Sequence, residues 1–201
     1  MLRDELAVKP WDRSVLATFA ELVDSDGGGV VADLGCGPGR ITAHLSDLGL
    51  DVFGVDLSPG MITVARASHP GLRFVVGTIT DLPIADASLA GAVAWYSIIH
   101  TPPEHLPIVF AEFARVLAPG GRLLMAFQAG DERRHLDTAY GHSISLDAWR
   151  LSPEKMASLL NEAGLPVDAR LVRQPDEREK VPQAFIVAHR PPVSGSAQIA
   201  Y

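Results

Sequence analysis

Hydrophobic positions along the chain switch between two spacings. After Pro10 the stretch WDRSVLATFAELVD places Leu16, Phe19, Leu22 and Val23 on one helical face, and Gly27 to Gly29 end it. VVADLG follows as a short β-rich run, and RITAHLSDLG returns to helical spacing with Ile41, Leu45 and Leu48 before Gly49. DVFGVD predicts a second strand. SPGMITVARASHPG predicts the next helix, with Ser58 as N-cap, Pro59 as first helical residue and His69-Pro70-Gly71 as the stop. LRFVVG, AGAVAWYS and RLLMAFQ predict strands three, four and five, the last entered through a turn at APGG. Between strands four and five, PEHLPIVFAEFARVL sets Leu106, Val109, Phe110, Phe113, Val116 and Leu117 along a helical face, with Pro107 tolerated in the first turn. Residues 129–150 are polar and read as irregular. Ser152-Pro153 opens a helix that turns Met156, Leu159 and Leu160 inward as far as Gly164. PVDARLVR and QAFIVAHR then predict two late strands around the charged PDEREK, and the tail PPVSGSAQIAY reads as disordered.

Strands alternating with helices predict a mostly parallel sheet covered on both faces, with ligands outside the carboxyl ends of its strands. One domain is expected over residues 1–190, with 1–28 as an N-terminal helical segment, 129–150 as an insertion on the substrate side and 191–201 as a tail. Composition changes this picture little: 47% hydrophobic and 20% charged residues are ordinary for a folded globular chain. Charge narrows the partners. A net charge of −7 disfavours nucleic acid, whose phosphates demand a basic footprint. The longest apolar run, Leu89 to Ile99, falls short of the roughly 20 residues needed to cross a bilayer. MLRDELAVKP lacks the apolar core of a secretory signal, so the expected location is the cytoplasm and no membrane partner is expected. Cys36 is the only cysteine, which excludes an internal disulfide and a thiolate metal cluster within one chain. Set between Gly35 and Gly37, it reads as a small, nearly apolar filler.

Candidate chemistry gathers in VADLGCGPGR, residues 31–40. A dinucleotide fingerprint would need glycines at 35, 37 and 40, and position 40 is Arg; the Gly-Lys-Ser/Thr ending of a P-loop is missing as well. Asp33 at the mouth of the loop would repel a pyrophosphate and attract an ammonium or sulfonium. Asp56, at the end of strand two, suits two ribose hydroxyls. Leu57 and Met61 offer apolar contact to a purine face, although Met61 serves equally as a core residue.

VADLGCGPGR, GVDLSPGM, GTITDLPIADASL and EFARVLAPGGRLLMAF together resemble the successive motifs of class I S-adenosylmethionine-dependent methyltransferases of the small-molecule type, over about residues 30–128. The resemblance implies an α/β, Rossmann-like, doubly wound sheet of seven mostly parallel strands with the last antiparallel. It implies S-adenosyl-L-methionine as cofactor and S-adenosyl-L-homocysteine as its product. Asp33, Gly35, Cys36, Gly37 and Gly39 would line the methionine portion, Asp56 would grip the ribose, and Thr78 and Ile79 would meet the adenine edge. Trp95 and Tyr96 would lie where strand four opens beside the sulfonium. Two positions depart from the family pattern: Thr78 stands where an acid is common, and Ala90 replaces the acid before strand four. Arg40 suits the cofactor carboxylate or an exposed first turn.

After strand four, WYSIIHTPPEH presents His100 as a candidate general base, with Tyr96 or Ser97 to orient an acceptor. His100 and His105, five apart across two prolines, have no metal-site spacing. Beyond strand five, Arg133, Arg134, His135, Tyr140 and His142 are candidates to receive a carboxylate-bearing or aromatic small molecule. The expected activity is methyl transfer to an oxygen or nitrogen of a small molecule. The alternative is a protein that binds S-adenosylmethionine without transferring its methyl group.

Overall fold

In the computed structural model, residues 6–139 and 142–193 are described. In chain order they form α1 (Pro10–Ser25), β1 (Val30–Leu34), α2 (Arg40–Asp47), β2 (Asp51–Asp56), α3 (Pro59–Ser68), β3 (Arg73–Val76) and β4 (Leu89–Trp95). Then come α4 (Leu106–Val116), β5 (Leu117–Gln128), β6 (Glu132–Ala139), β7 (His142–Arg150), α5 (Pro153–Glu162), β8 (Val167–Arg173) and β9 (Gln183–His189). Both predicted serine caps form: Ser58 accepts from the Met61 N–H and Ser152 from the Lys155 N–H, each at 3.3 Å.

Seven strands make one sheet in the order β3-β2-β1-β4-β5-β9-β8. β1 to β5 are mutually parallel, and β9, the last in sequence, runs antiparallel to both of its neighbours. Strand order reverses between β1 and β4, which opens a crevice at their carboxyl ends. The sheet is covered on both faces, as its nearly continuous apolar strands require. Phe110 and Phe113 of α4 and Met156 and Leu160 of α5 pack with Leu34, Val55 and Met125 on one side. Leu16, Phe19 and Val23 of α1 and Leu45 of α2 pack with Val31, Val93 and Leu124 on the other.

Two sequence expectations need correction. Residues 129–150 are not irregular: β6 and β7 pair antiparallel as a separate two-stranded sheet. Ile144, Leu146 and Ala148 alternate with polar residues in β7, but β6 (ERRHLDTA) has no matching apolar period, and charge pairs link the two, Arg150 with Glu132, and Asp147 with both Arg133 and His135. Trp149 packs the hairpin against the core. The APGG turn is likewise absorbed into β5, whose pairing with β4 slips in register between Leu89 and Gly91. A Cβ at Gly121 would stand 2.8 Å from the Leu89 carbonyl oxygen, so a side chain does not fit at that close approach. The predicted disordered tail lies outside the described residues from 194 onward, and Tyr140 lies outside them as well.

An ion cluster ties the start of α1 to the connection between β8 and β9. Lys9 Nζ donates to Asp176 at 2.6 Å and Glu179 at 2.5 Å, while Arg173 pairs with Glu179 at 2.5 Å and with Asp12 at 3.2 Å. Lys9, Asp12 and Arg173 are all buried. Burial pushes the Asp12 carboxyl up against the pull of Arg173, whereas hydrogen bonds from Arg173 and Lys9 overcome desolvation and draw Glu179 down to about 2. Among the described residues, no helix is long and apolar enough to cross a membrane.

Candidate functional site

β1 ends at Leu34, and the chain turns through Gly35 into α2 in a loop laid over the end of β2. Gly35 and Cys36 donate their N–H groups to the Val55 carbonyl at 2.7 and 2.9 Å. Gly35 has φ +80, and a Cβ there would stand 2.2 Å from the Ser97 Cβ, so no other residue fits between the loop and the exit of β4. Asp56 stitches the far side: its Oδ2 accepts from the Gly37 N–H and its Oδ1 from the Ser58 N–H, both at 2.8 Å. Each oxygen keeps a lone pair for a further donor.

Asp33 does not form an open acidic rim, and here the sequence expectation is corrected. It is fully buried beneath the loop, and Thr42 on α2 donates to its Oδ2 at 2.6 Å. Its Oδ1 has no partner. Desolvation pushes its carboxyl up to about 6 against the pull of the Thr42 bonds. Ser97 Oγ is a second buried polar atom without a partner. A buried polar atom left unpaired costs about 1–3 kcal/mol, so two such atoms flanking one glycine mark a place prepared for a polar ligand. Cys36 fulfils its filler role, packed with Ile62, Ala65 and Phe74, and burial pushes its thiol up and away from reactivity.

Around the loop the other expected residues separate. Leu57 is 71% exposed and Met61 37%, so neither is core, and both present apolar surface beyond Asp56. Thr78 Oγ1 lies 2.8 Å from Thr80 Oγ1, and Ile79 packs against the core. Arg40 opens α2 and lines, with Arg13, His44 and His69, an open groove of about 1260 Å³ along the helix. That groove touches the loop only at Pro38 and Arg40 and excludes Asp33 and Ser97. The unpartnered polar atoms therefore locate the site better than the size of the hollow does.

On the β4 side, Trp95 is buried rather than open, in contact with Phe185 at 5.6 Å between ring centres. Tyr96 has φ +54, a left-handed backbone that costs a non-glycine residue about 1–3 kcal/mol and tends to occur at functional sites. Its hydroxyl donates to Gln183 Oε1 at 2.7 Å, which takes that proton out of play for acid–base work. His100 is exposed, with Nδ1 3.2 Å from the Asp147 carbonyl oxygen on the hairpin. A carbonyl only accepts, so in the neutral ring Nδ1 carries the proton and Nε2 the lone pair. Arg133 reaches Asp147 Oδ2 at 2.6 Å and His135 reaches Oδ1 at 2.9 Å, which places both on the hairpin face that holds Asp147. Arg134 falls on the alternate face, opposite Ala148.

Three residues escaped the sequence reading. Thr42 carried a faint signal, a hydroxyl one turn into the helix after the loop. Gln183 carried another, a polar residue heading an otherwise buried strand. Asp147 carried none, because its partners depend on the hairpin register.

The sheet order, the glycine loop and the acid ending β2 give the Rossmann-like fold that class I S-adenosylmethionine-dependent methyltransferases share. Residues 31–121 match the methyltransferase domain family. An uncharacterized methyltransferase of Mycobacterium tuberculosis is 41% identical over 120 residues, 58% of this chain and 47% of that protein. A malonyl-[acyl-carrier protein] O-methyltransferase of Erwinia billingiae is 33% identical over 110 residues, 55% of this chain and 43% of that protein. The chain thus spans less than half the length of these curated relatives. Among solved structures, a SAM-dependent methyltransferase of Methanosarcina mazei superposes with a TM-score of 0.73 at 21% identity, over 82% of this chain and 93% of that one. S-adenosylmethionine is the cofactor of the class.

Proposed function

We propose that this protein transfers a methyl group from S-adenosylmethionine to an oxygen or nitrogen atom of a small molecule. The observation that carries the reading is the pair of unpartnered buried polar atoms, Asp33 Oδ1 and Ser97 Oγ, on either side of a glycine that tolerates no Cβ. They fit the methionine end of the cofactor: the charge of an ionised Asp33 beneath the loop attracts its ammonium, and the loop backbone approaches without side chains in the way. Asp56 fits the ribose with its two remaining lone pairs, and the exposed Leu57 and Met61 fit a purine face. Bound there, the cofactor supplies an electrophilic methyl on a sulfonium, and the S–CH3 bonding pair stays with sulfur as the neutral thioether.

The chain's own work is alignment and proton removal. Holding the acceptor in line contributes roughly 7–11 kcal/mol in favourable cases, which makes rigid walls around the β4 exit the main requirement. His100 Nε2, left with its lone pair by the Asp147 carbonyl, takes the acceptor's proton as the new bond to carbon forms. Arg133 is the candidate for an anionic group elsewhere on the acceptor.

Calorimetry with S-adenosylhomocysteine tests the binding half, and mass spectrometry of cell extract incubated with the protein and methyl-labelled cofactor tests the transfer. Binding together with a labelled small product is expected. Binding without any labelled product over a broad set of extracts would replace transfer by binding alone. Absence of binding would sink both.

A further inference from the structure

Gln183 opens β9, opposite Gln128 of β5 and Arg173 of β8, and is only 2% exposed. Such a buried amide persists only when both of its ends are satisfied. Its Nε2 donates to the Val181 carbonyl at 2.7 Å, an atom that can only accept, so the amide orientation is fixed. Oε1 must then face Tyr96, and the Tyr96 hydroxyl must be the donor in their 2.7 Å bond.

Tyr96 is held at other points as well. Its N–H donates to the Ala126 carbonyl at 2.8 Å, and its ring stands edge-on to Trp95 with centres 6.0 Å apart. Trp95 rests on Phe185, two residues beyond Gln183 on the same strand. The next residue, Ser97, fills the place a Cβ of Gly35 would take. The Tyr96–Ser97 corner therefore touches the glycine loop on one side and is pinned by β9 on the other.

We infer that Gln183 is a positioning residue that acts through Tyr96, holding the ring as a fixed wall of the acceptor site and setting the polarity that wall shows. The inference rests on the methyltransferase reading above. A phenol whose hydrogen is committed to Gln183 offers further partners only oxygen lone pairs. It favours a nucleophile that arrives bearing hydrogen, a phenol, alcohol or N–H, and disfavours an ionised carboxylate as the attacking group. The proton such a nucleophile loses goes to His100 Nε2, and the methyl takes its place.

Three variants test this: Gln183→Leu removes the acceptor, Gln183→Glu keeps one, and Tyr96→Phe removes the donor. The chain has three tyrosines, so ring-labelled tyrosine NMR gives three signals, and the one missing in Y96F belongs to Tyr96. In Q183L that signal should move while S-adenosylhomocysteine affinity, read by calorimetry, stays within about twofold; in Q183E it should stay bonded, with a raised phenol pKa. With a panel of small phenols, alcohols and N–H heterocycles set against short-chain carboxylates, the hydrogen-bearing acceptors should be methylated. For these, Q183L and Y96F should each lower kcat about tenfold, the double variant should lose no more than either single one, and Q183E should recover part of the loss. An unmoved Tyr96 signal in Q183L, additive losses, or preferred methylation of carboxylates would overturn the inference. If Q183L does not fold, the signal and phenol pKa in Q183E decide the coupling. If the wild-type protein methylates nothing, the proposed function fails, and the Tyr96 signal still decides whether Gln183 positions that ring.

Discussion

The two sides of the carboxyl edge are held by different kinds of contact. On the cofactor side the bonds are short in sequence: Thr42 to Asp33 spans nine residues and Gly37 to Asp56 nineteen. On the acceptor side they are long: 47 residues separate His100 from Asp147, and 87 separate Tyr96 from Gln183. The first side is a local solution to approaching a ligand with bare backbone. The second depends on the sheet being complete, and under the proposed function it is the side that selects the acceptor.

That contrast can be broken most severely at Gly35. Gly35→Ala places a Cβ against Ser97 in a left-handed backbone, and S-adenosylhomocysteine affinity should fall by more than about 100-fold in calorimetry. An unchanged affinity would show that the loop does not carry the cofactor side. His100→Ala should do the reverse, lowering turnover about 100-fold while cofactor affinity stays within about twofold. Equal turnover in mutant and wild type would remove His100 as the base.

Asp33 sharpens the comparison through pH. Its folded carboxyl sits at about 6 against an ordinary 3.8, so the folded state holds the proton more tightly than the unfolded state. Stability from this group is present below pH 4, declines as pH rises to 6, and stays reduced above it. Asp33→Asn, which cannot ionise, should therefore gain about 3 kcal/mol over wild type at pH 8 and little at pH 4, read as Tm. It should also weaken S-adenosylhomocysteine binding about tenfold at pH 8, and wild-type affinity should fall as pH drops below 6. A variant that neither gains stability nor loses affinity would refute a charged Asp33 held for binding. The smallest effect is expected at exposed Arg133, where Arg133→Ala should raise KM for an anionic acceptor about threefold and leave uncharged acceptors alone.

How much was legible follows the same division. The alternation of strands and helices from β1 to β5 and both serine caps follow from nearby residues with strong conformational demands. The polarity of Asp33 was readable and its depth was not, because burial comes from Thr42 and the loop folding over it. The hairpin was missed although Ile144, Leu146 and Ala148 alternate with polar residues, because the partner strand ERRHLDTA offers no matching apolar period and is joined to it by charge pairs. His100 was readable as a candidate base, but the carbonyl that fixes its tautomer belongs to that unread hairpin. Tyr96 was read within AGAVAWYS, one residue beyond where β4 ends, and nothing in its neighbourhood announced that its hydroxyl would be claimed by the first residue of β9.

The last strand in sequence is not the last in space: β9 lies between β5 and β8. A chain emerging from the ribosome can lay down β1 to β5 and shape the glycine loop while residues 183–189 are still being made. Tyr96 lacks Gln183 until that strand slides into its slot, and the buried cluster of Lys9, Asp12, Arg173 and Glu179 closes over a span of up to 170 residues. Under the proposed function, the residues for nucleoside capture are thus made early in the growing chain and those for acceptor discrimination late.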